Sequence, residues 1–194
     1  MSGLIPAPPE MRDDASTGAE DPRRFGGIAR LYGEAGRARL AAARVAVVGI
    51  GGVGSWAAEA LARSGVGQLT LIDLDHVAES NLNRQIHATE ATLGQAKVEA
   101  MAARIAGYAP GCVVTQVDDF VTADNAAVLL GRGFDYVVDA IDAVRVKVAM
   151  IAVCRGAGVP VVTCGAAGGQ IDPTQIRVDD LARTIQDPLL AKVR

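Results

Sequence analysis

Ten residues, Val45 to Gly54 (VAVVGIGGVG), constrain this chain more than any others. Val45 to Val48 is a short, β-branched apolar run of the kind that forms a buried parallel strand. Gly49, Gly51 and Gly54 occupy the G-x-G-x-x-G positions, and Gly52 adds a fourth glycine. Ser55 to Arg63 (SWAAEALAR) is rich in helix formers. Strand, glycine turn and helix in that order converge backbone N–H groups and a helix N-terminus on one point, which attracts phosphate. The motif needs context before it carries weight. Here a second apolar strand, Gln68 to Asp73 (QLTLID), ends in an acid. Asp73 stands about 20 residues beyond the glycines, where a carboxylate for ribose hydroxyls is expected. A plain glycine-rich turn would leave that acid unexplained.

Apolar runs continue to alternate with helical patterns. Helices are expected over Glu34 to Ala43, Gly94 to Gly107, Thr122 to Leu130 (with Thr122 as N-cap) and Ala143 to Gly156. Strands are expected over Cys112 to Val117, Phe134 to Asp139 and Val159 to Cys164, with a further one at Gln175 to Val178. This alternation predicts one Rossmann-like α/β domain with a doubly wound, mainly parallel sheet. The 194 residues suffice for one such core, and no internal repeat or linker divides them. Met1 to Asp21, with its prolines, small residues and acids, reads as a disordered tail ahead of a domain over 22–194.

Composition removes several classes. Half of the residues are hydrophobic, yet no apolar run is long enough to span a bilayer. A net charge of −3 gives no global attraction to nucleic acid. Locally, Pro22 to Arg44 holds six arginines against one acid, Glu34, either a phosphate-facing patch or a solvated helix face. Cys112, Cys154 and Cys164 form no C-x-x-C pair. That pattern points to a reducing, cytoplasmic setting without structural zinc. There is no signal-peptide pattern at the N-terminus.

The chemistry is expected in the long polar stretch Leu74 to Thr92, which has no clean period and carries Asp75, Asn81, Asn83, Arg84, Gln85 and His87. Lys97 follows in the first turn of a helix, where a cation opposes the dipole unless an anion lies nearby. Asn81, Arg84 and Lys97 could converge on a chain of phosphates, Arg84 by paired hydrogen bonds and Lys97 as a point charge. Asp142 lies past the end of a strand, free to hold magnesium, a hard cation that prefers carboxylate oxygen. Two cations, a metal-binding acid and a ribose-binding acid suit ATP better than a dinucleotide. Asp139 is expected as a second metal ligand, a cap or a salt-bridge partner. Trp56, Cys112, Cys154 and Cys164 are assigned to packing, and His76 and His87 to the surface or to hydrogen bonds.

These segments together resemble the adenylating enzymes of the ubiquitin-activating superfamily, the ThiF/MoeB/HesA group. The resemblance rests on Gly49-Ile-Gly-Gly-Val-Gly54, Asp73-Leu-Asp75, Ser80-Asn-Leu-Asn-Arg-Gln85, Gly94-Gln-Ala-Lys97 and Asp139-Ala-Ile-Asp142. Arg24-Phe-Gly-Gly, Asn83-Arg-Gln-Ile-His-Ala88, Val117-Asp-Asp-Phe-Val-Thr122 and Gly168-Gly-Gln-Ile-Asp-Pro-Thr-Gln175 narrow it to the tRNA threonylcarbamoyladenosine dehydratases. It implies that Gly49, Gly51, Gly52 and Gly54 cradle the phosphates and that Asp73 binds ribose. Asp75, Asn81, Arg84, Gln85 and Lys97 would complete the ATP site. Asp142 would coordinate magnesium and, with Arg84 and Lys97, form the catalytic set. The implied reaction adenylates the threonine carboxylate of the modified adenosine in tRNA and closes a ring, releasing pyrophosphate and AMP. The implied partners are tRNA, a second copy of the chain and a sulfur-transfer (SufE-like) protein. The family's usual length implies a further C-terminal part. The trans-acting arginine of sulfur-carrier relatives has no secure counterpart, its position falling on Gly27 between Arg24 and Arg30. Two readings stand beside this one: an adenylyltransferase acting on the C-terminus of a ubiquitin-like carrier, and an NAD-binding module without chemistry.

Overall fold

The structure, a computed structural model, describes residues 24–194. The expected N-terminal tail therefore lies outside the described residues. Five strands form a single sheet: β1 (Arg44–Val48), β2 (Gln68–Ile72), β3 (Val113–Val117), β4 (Tyr136–Asp139) and β5 (Val161–Thr163). Their order is β3-β2-β1-β4-β5, and every pairing is parallel. The helices are α1 (Gly26–Ala42), α2 (Gly54–Arg63), α3 (Lys97–Ala106), α4 (Ala126–Leu130), α5 (Val144–Ala157) and α6 (Pro188–Val193).

Strand periodicity explains the layering. In β1, Val45 and Val47 join a core with Ala58 and Ala62 of α2 and Met101 and Ile105 of α3. Ala46 and Val48 point the other way, to Ala126 and Leu130 of α4 and Met150 and Cys154 of α5. Both faces of the central strand are thus buried, which is why it reads as a continuous apolar run. Helices cover both faces, as a parallel sheet requires. One charged group ties the first of these layers together. Glu59 of α2, 6% exposed at its side chain, accepts hydrogen bonds from Arg104 (2.9 and 3.1 Å), Arg63 (2.7 Å) and the Tyr108 hydroxyl (3.0 Å).

The strand order sets the position of the site. β1 lies between β2 and β4, so the connections leaving β1 and β4 run to opposite faces of the sheet. A crevice opens between their carboxyl ends, where open α/β sheets bind ligands.

Three expectations change. Residues 26–32, where no helix was expected, are helical and join the expected helix across a kink at Gly33, whose φ of 73° is non-helical. The expected strand at Gln175 to Val178 does not form. A 3₁₀ turn covers Pro173–Gln175, and Ile176 and Val178 are exposed at 79% and 91%. Pro173 at the first position of the turn and Asp172, whose Oδ1 accepts from the Thr174 N–H (3.0 Å), favour the turn over a strand. The third change is Trp56, assigned to packing, which is half-exposed with its indole N–H donating to the Arg84 carbonyl (2.9 Å).

Candidate functional site

A cleft of about 930 Å³ lies at the carboxyl ends of the strands. Its floor is the glycine loop. Gly49 takes φ 86° as the chain leaves β1, a conformation that favours glycine, and its N–H donates to Ile72 O (2.9 Å). A Cβ on Gly54 would stand 1.7 Å from the Gly49 carbonyl oxygen, so the start of α2 is pressed directly on the loop. Gly51 is different: a Cβ there would meet no atom within 4 Å, because its α-carbon faces the open cleft.

Asp73, at the end of β2, is 8% exposed and lines the cleft. One carboxylate oxygen accepts from the Ile50 N–H (2.6 Å) and the other from the Asp75 N–H (2.9 Å). The acid expected at the ribose also braces the glycine loop. Beyond it the polar stretch folds into two 3₁₀ turns, Glu79–Asn81 and Glu90–Thr92. Its side chains separate into supports and cleft residues. The Asn81 Oδ1 accepts from the Ala78 N–H (3.0 Å), which builds the first turn, and Asn81 does not line the cleft; nor does Gly54. Arg84 lies across the loop, with Cδ 3.2 Å from where a Cβ on Gly52 would be. Its guanidinium donates to Ser80 O (2.8 Å) and Asn83 Oδ1 (3.0 Å). Gln85 lines the cleft at 4% exposure, and its Oε1 has no hydrogen-bond donor among the described residues. An orphaned buried acceptor facing a cleft is suited to a ligand donor.

Lys97 opens α3, buried at its side chain, with Nζ 2.7 Å from Asp75 Oδ2. Asp75 is about half-exposed, so the ammonium is anchored from the solvent side and held at the cleft. This pairing answers the question raised by a cation in a first helical turn: the local anion is Asp75.

The opposite wall is the turn 140–143 after β4. Asp142 is exposed there, lines the cleft and makes no hydrogen bond or ion pair to another described residue. Asp139 is fully buried and bonded to Lys147 (2.9 Å) and the Thr163 hydroxyl (2.6 Å). Of its expected roles, the ion pair is realised, and Oδ1 also caps its own turn by accepting from the Ile141 N–H (3.3 Å). Among the described residues no group of three or more His, Cys, Asp or Glu could hold a metal. A single free carboxylate beside a phosphate cradle nevertheless fits magnesium, which keeps several waters and takes the rest of its shell from substrate phosphate.

Sequence reasoning missed several wall residues. Asp119, Phe120 and Val121, past the end of β3, line the cleft, and Phe120 is 52% exposed. Its backbone is pinned by the Asn125 amide on Phe120 O (2.8 Å) and by Asp119 Oδ1 on its own N–H (2.7 Å). The available signal was position, since the residues after every parallel strand border the same crevice. Gly165 to Gly168 and Leu189 complete the rim. Asp187 ties them together, accepting from the Ala166 N–H (3.0 Å) and from Leu190 N–H (2.8 Å) at the start of α6.

The remaining candidates fall outside the cleft. His87 is 2% exposed, and neither ring nitrogen has a hydrogen-bond partner among the described residues. Burial, then the charges of Lys97 and Arg104, push its pKa down to about 4. It is neither the surface nor the hydrogen-bonded group expected. Burial pushes the Cys164 thiol up, away from thiolate chemistry. The arginines of α1 and its flanks lie away from the cleft: Arg24 donates to Tyr108 O (2.6 Å), Arg37 pairs with Glu34 (2.8 Å) and Arg44 donates to Arg132 O (2.9 Å).

A model of the ThiF family matches residues 26–184. The tRNA threonylcarbamoyladenosine dehydratase of Escherichia coli (strain K12) is 62% identical over 172 residues, 89% of this chain and 64% of that protein. The Haemophilus influenzae protein of the same name is 54% identical over 172 residues, 89% of this chain and 66% of the relative. The molybdopterin-synthase adenylyltransferase of Salmonella typhimurium is 42% identical over 140 residues, 72% of this chain and 55% of the relative. Among solved structures, the E. coli dehydratase in complex with ATP matches with a TM-score of 0.88 at 62% identity, covering 89% of this chain and 71% of that one. Its complex with AMP gives 0.87. The chain thus spans just under two thirds of the length of these two dehydratases.

Proposed function

The chain belongs to the ThiF family, and from that premise we propose that it is the ATP-binding part of a tRNA threonylcarbamoyladenosine dehydratase. The observation that carries the proposal is the match over 89% of the chain to the E. coli dehydratase solved with ATP, at 62% identity. The cleft has the chemistry such a reaction needs. Gly51 and Gly52 leave backbone N–H groups open to phosphate. Asp73 stands where the ribose hydroxyls would lie, Phe120 offers an aromatic face for the adenine, and Arg84 and Lys97 flank the phosphate path. Asp142 would hold magnesium, which would neutralise phosphate charge there.

The tRNA substrate's threonine carboxylate attacks the α-phosphate. An O–P bond forms, the bond to the β-phosphate breaks, and pyrophosphate leaves. The ureido group of the same side chain then attacks the acyl carbon and expels AMP, closing the ring with net loss of water. Because the second attack is intramolecular, no protein nucleophile is needed. Catalysis then consists of alignment and of countering charge on the phosphates. Homodimerisation, a SufE-like partner and a cytoplasmic location rest on the family resemblance and belong to the same proposal.

The test is AMP release from magnesium and ATP, with and without tRNA bearing threonylcarbamoyladenosine, with Asp142→Ala as control. AMP that requires the modified tRNA and disappears in the variant supports the proposal. AMP formed instead with a ubiquitin-like carrier would favour the carrier adenylyltransferase. Tight binding of NAD in preference to ATP would refute both.

A further inference from the structure

Lys147 and Asp139 are an ion pair with no exposed surface on either side chain, just behind the cleft wall. Burying two charges costs much of what their attraction returns, so such pairs are poor devices for stability alone. This one is connected to the turn that carries Asp142. Asp139 Oδ1 accepts from Lys147 Nζ at 2.9 Å and from the Ile141 N–H at 3.3 Å. Its Oδ2 accepts from the Thr163 hydroxyl at 2.6 Å, and the Thr163 oxygen in turn accepts from Lys147 Nζ at 3.2 Å. The carboxylate thereby shapes its own turn, as aspartates do when they bond the backbone two residues on.

Residues of this network stand at both ends of the turn. Asp139 begins it at the end of β4, opposite Thr163 in the β4–β5 register. Lys147 N–H bonds Ala143 O (3.0 Å) where the turn becomes α5. Between them, Ile141 and the Ala140 carbonyl press on Gly49, 2.9 and 3.0 Å from where its Cβ would be. A rotation of the Asp139 carboxylate would therefore move Asp142 relative to the glycine loop across the cleft.

We propose that Lys147 and Thr163 are positioning residues that act through Asp139 to set the distance between Asp142 and the phosphate-binding glycine loop. The inference deepens the proposed function and rests on the reading of Asp142 as the magnesium-holding acid.

The test is calorimetric binding of ATP to the full chain, with and without magnesium, so that no tRNA or turnover is needed. Asp142→Ala is the reference and should abolish the gain in affinity that magnesium brings. Thr163→Val, which keeps the side-chain shape and removes the hydroxyl, should reduce that gain roughly three- to tenfold. Its affinity for ATP without magnesium should stay within about twofold. Thr163→Ser, which restores the hydroxyl, should recover the gain. Thr163→Ala serves the same purpose if the valine variant does not fold. The inference is overturned if Thr163→Val keeps the full magnesium gain while Asp142→Ala loses it. Equal weakening with and without magnesium also overturns it, since that is general loosening of the site. If Asp142→Ala itself keeps the gain, the reading of Asp142 fails first, and the positioning role fails with it.

Discussion

Replacing Gly51 and Gly54 separately by alanine should split ligand binding from folding, although both belong to one motif. At Gly51 the added methyl meets no protein atom within 4 Å, and φ lies outside the left-handed region. Such a substitution is neutral or stabilising by roughly 0.4–1 kcal/mol, because alanine narrows the unfolded ensemble. The methyl would, however, occupy the cleft where phosphate approaches the backbone. Losing one charge-assisted hydrogen bond, at about 1.5–3 kcal/mol, weakens ATP binding roughly 10- to 100-fold. At Gly54 the methyl would sit 1.7 Å from Gly49 O and 3.2 Å from Ala140 Cβ, and neither neighbour is a flexible chain end. The loop or α2 must move, at a cost of about 1–3 kcal/mol. For a domain of this size that lowers the Tm by roughly 2–4 °C per kcal/mol. Thermal unfolding and calorimetric ATP titration of both variants provide the check. Gly51→Ala should melt at or above the parent temperature and bind ATP poorly; Gly54→Ala should melt several degrees lower. Parent-like ATP affinity in Gly51→Ala would refute the argument, because the phosphates would then not approach that face of the loop.

Other outcomes are expected. His87 is held neutral when folded, its pKa down from 6.5 to about 4 through burial and then the charges of Lys97 and Arg104. The unfolded chain takes up the proton first, so stability should fall as pH drops from 6.5 towards 4, by up to about 3 kcal/mol. Urea unfolding of His87→Leu across that range should show a flatter profile. Burial raises the Glu59 pKa, but the hydrogen bonds from Arg104, Arg63 and Tyr108 outweigh it and hold the carboxyl below its ordinary 4.5. Its stabilisation is complete above that value and is lost as pH falls further, a window below that of His87. Glu59→Ala should cost about 2 kcal/mol at neutral pH, less than for a fully buried pair because both arginines reach solvent. Lys97→Met should weaken ATP binding roughly tenfold or more, while stability changes by under about 1 kcal/mol, since the Asp75 left behind is half-exposed.

The parts of the site legible in the sequence were those where local geometry and chemistry coincide. The glycines announce a turn that side chains would obstruct, and the acid of Asp73 ends an apolar strand. Gly49, Gly51, Gly52 and Asp73 line one cleft. Arg84, Gln85, Lys97 and Asp142 were legible as polar residues in a polar loop, at a helix start or past a strand end, and the fold brings all four to that cleft. Asn81 was legible as a polar residue of the same loop, yet its side chain builds the turn and stays off the cleft wall. Nothing in the local sequence separates a side chain that bonds a ligand from one that bonds the nearest N–H.

The sequence by itself determined the alternation of strand and helix, the parallel sheet with two buried faces and the glycine turn after the first strand. Each follows from short-range periodicity or from the stereochemistry of a few residues. The tertiary structure alone decided which residues meet across the sheet. The β3-β2-β1-β4-β5 order brings the ends of β1 and β4 together and opens the crevice. It also places Phe120 on the wall, pairs Lys97 with Asp75, and buries Lys147 against Asp139 and Thr163. These partners are separated by 22, 8 and 16 positions in the chain. Their pairing depends on strand order and helix packing, and no local pattern encodes either.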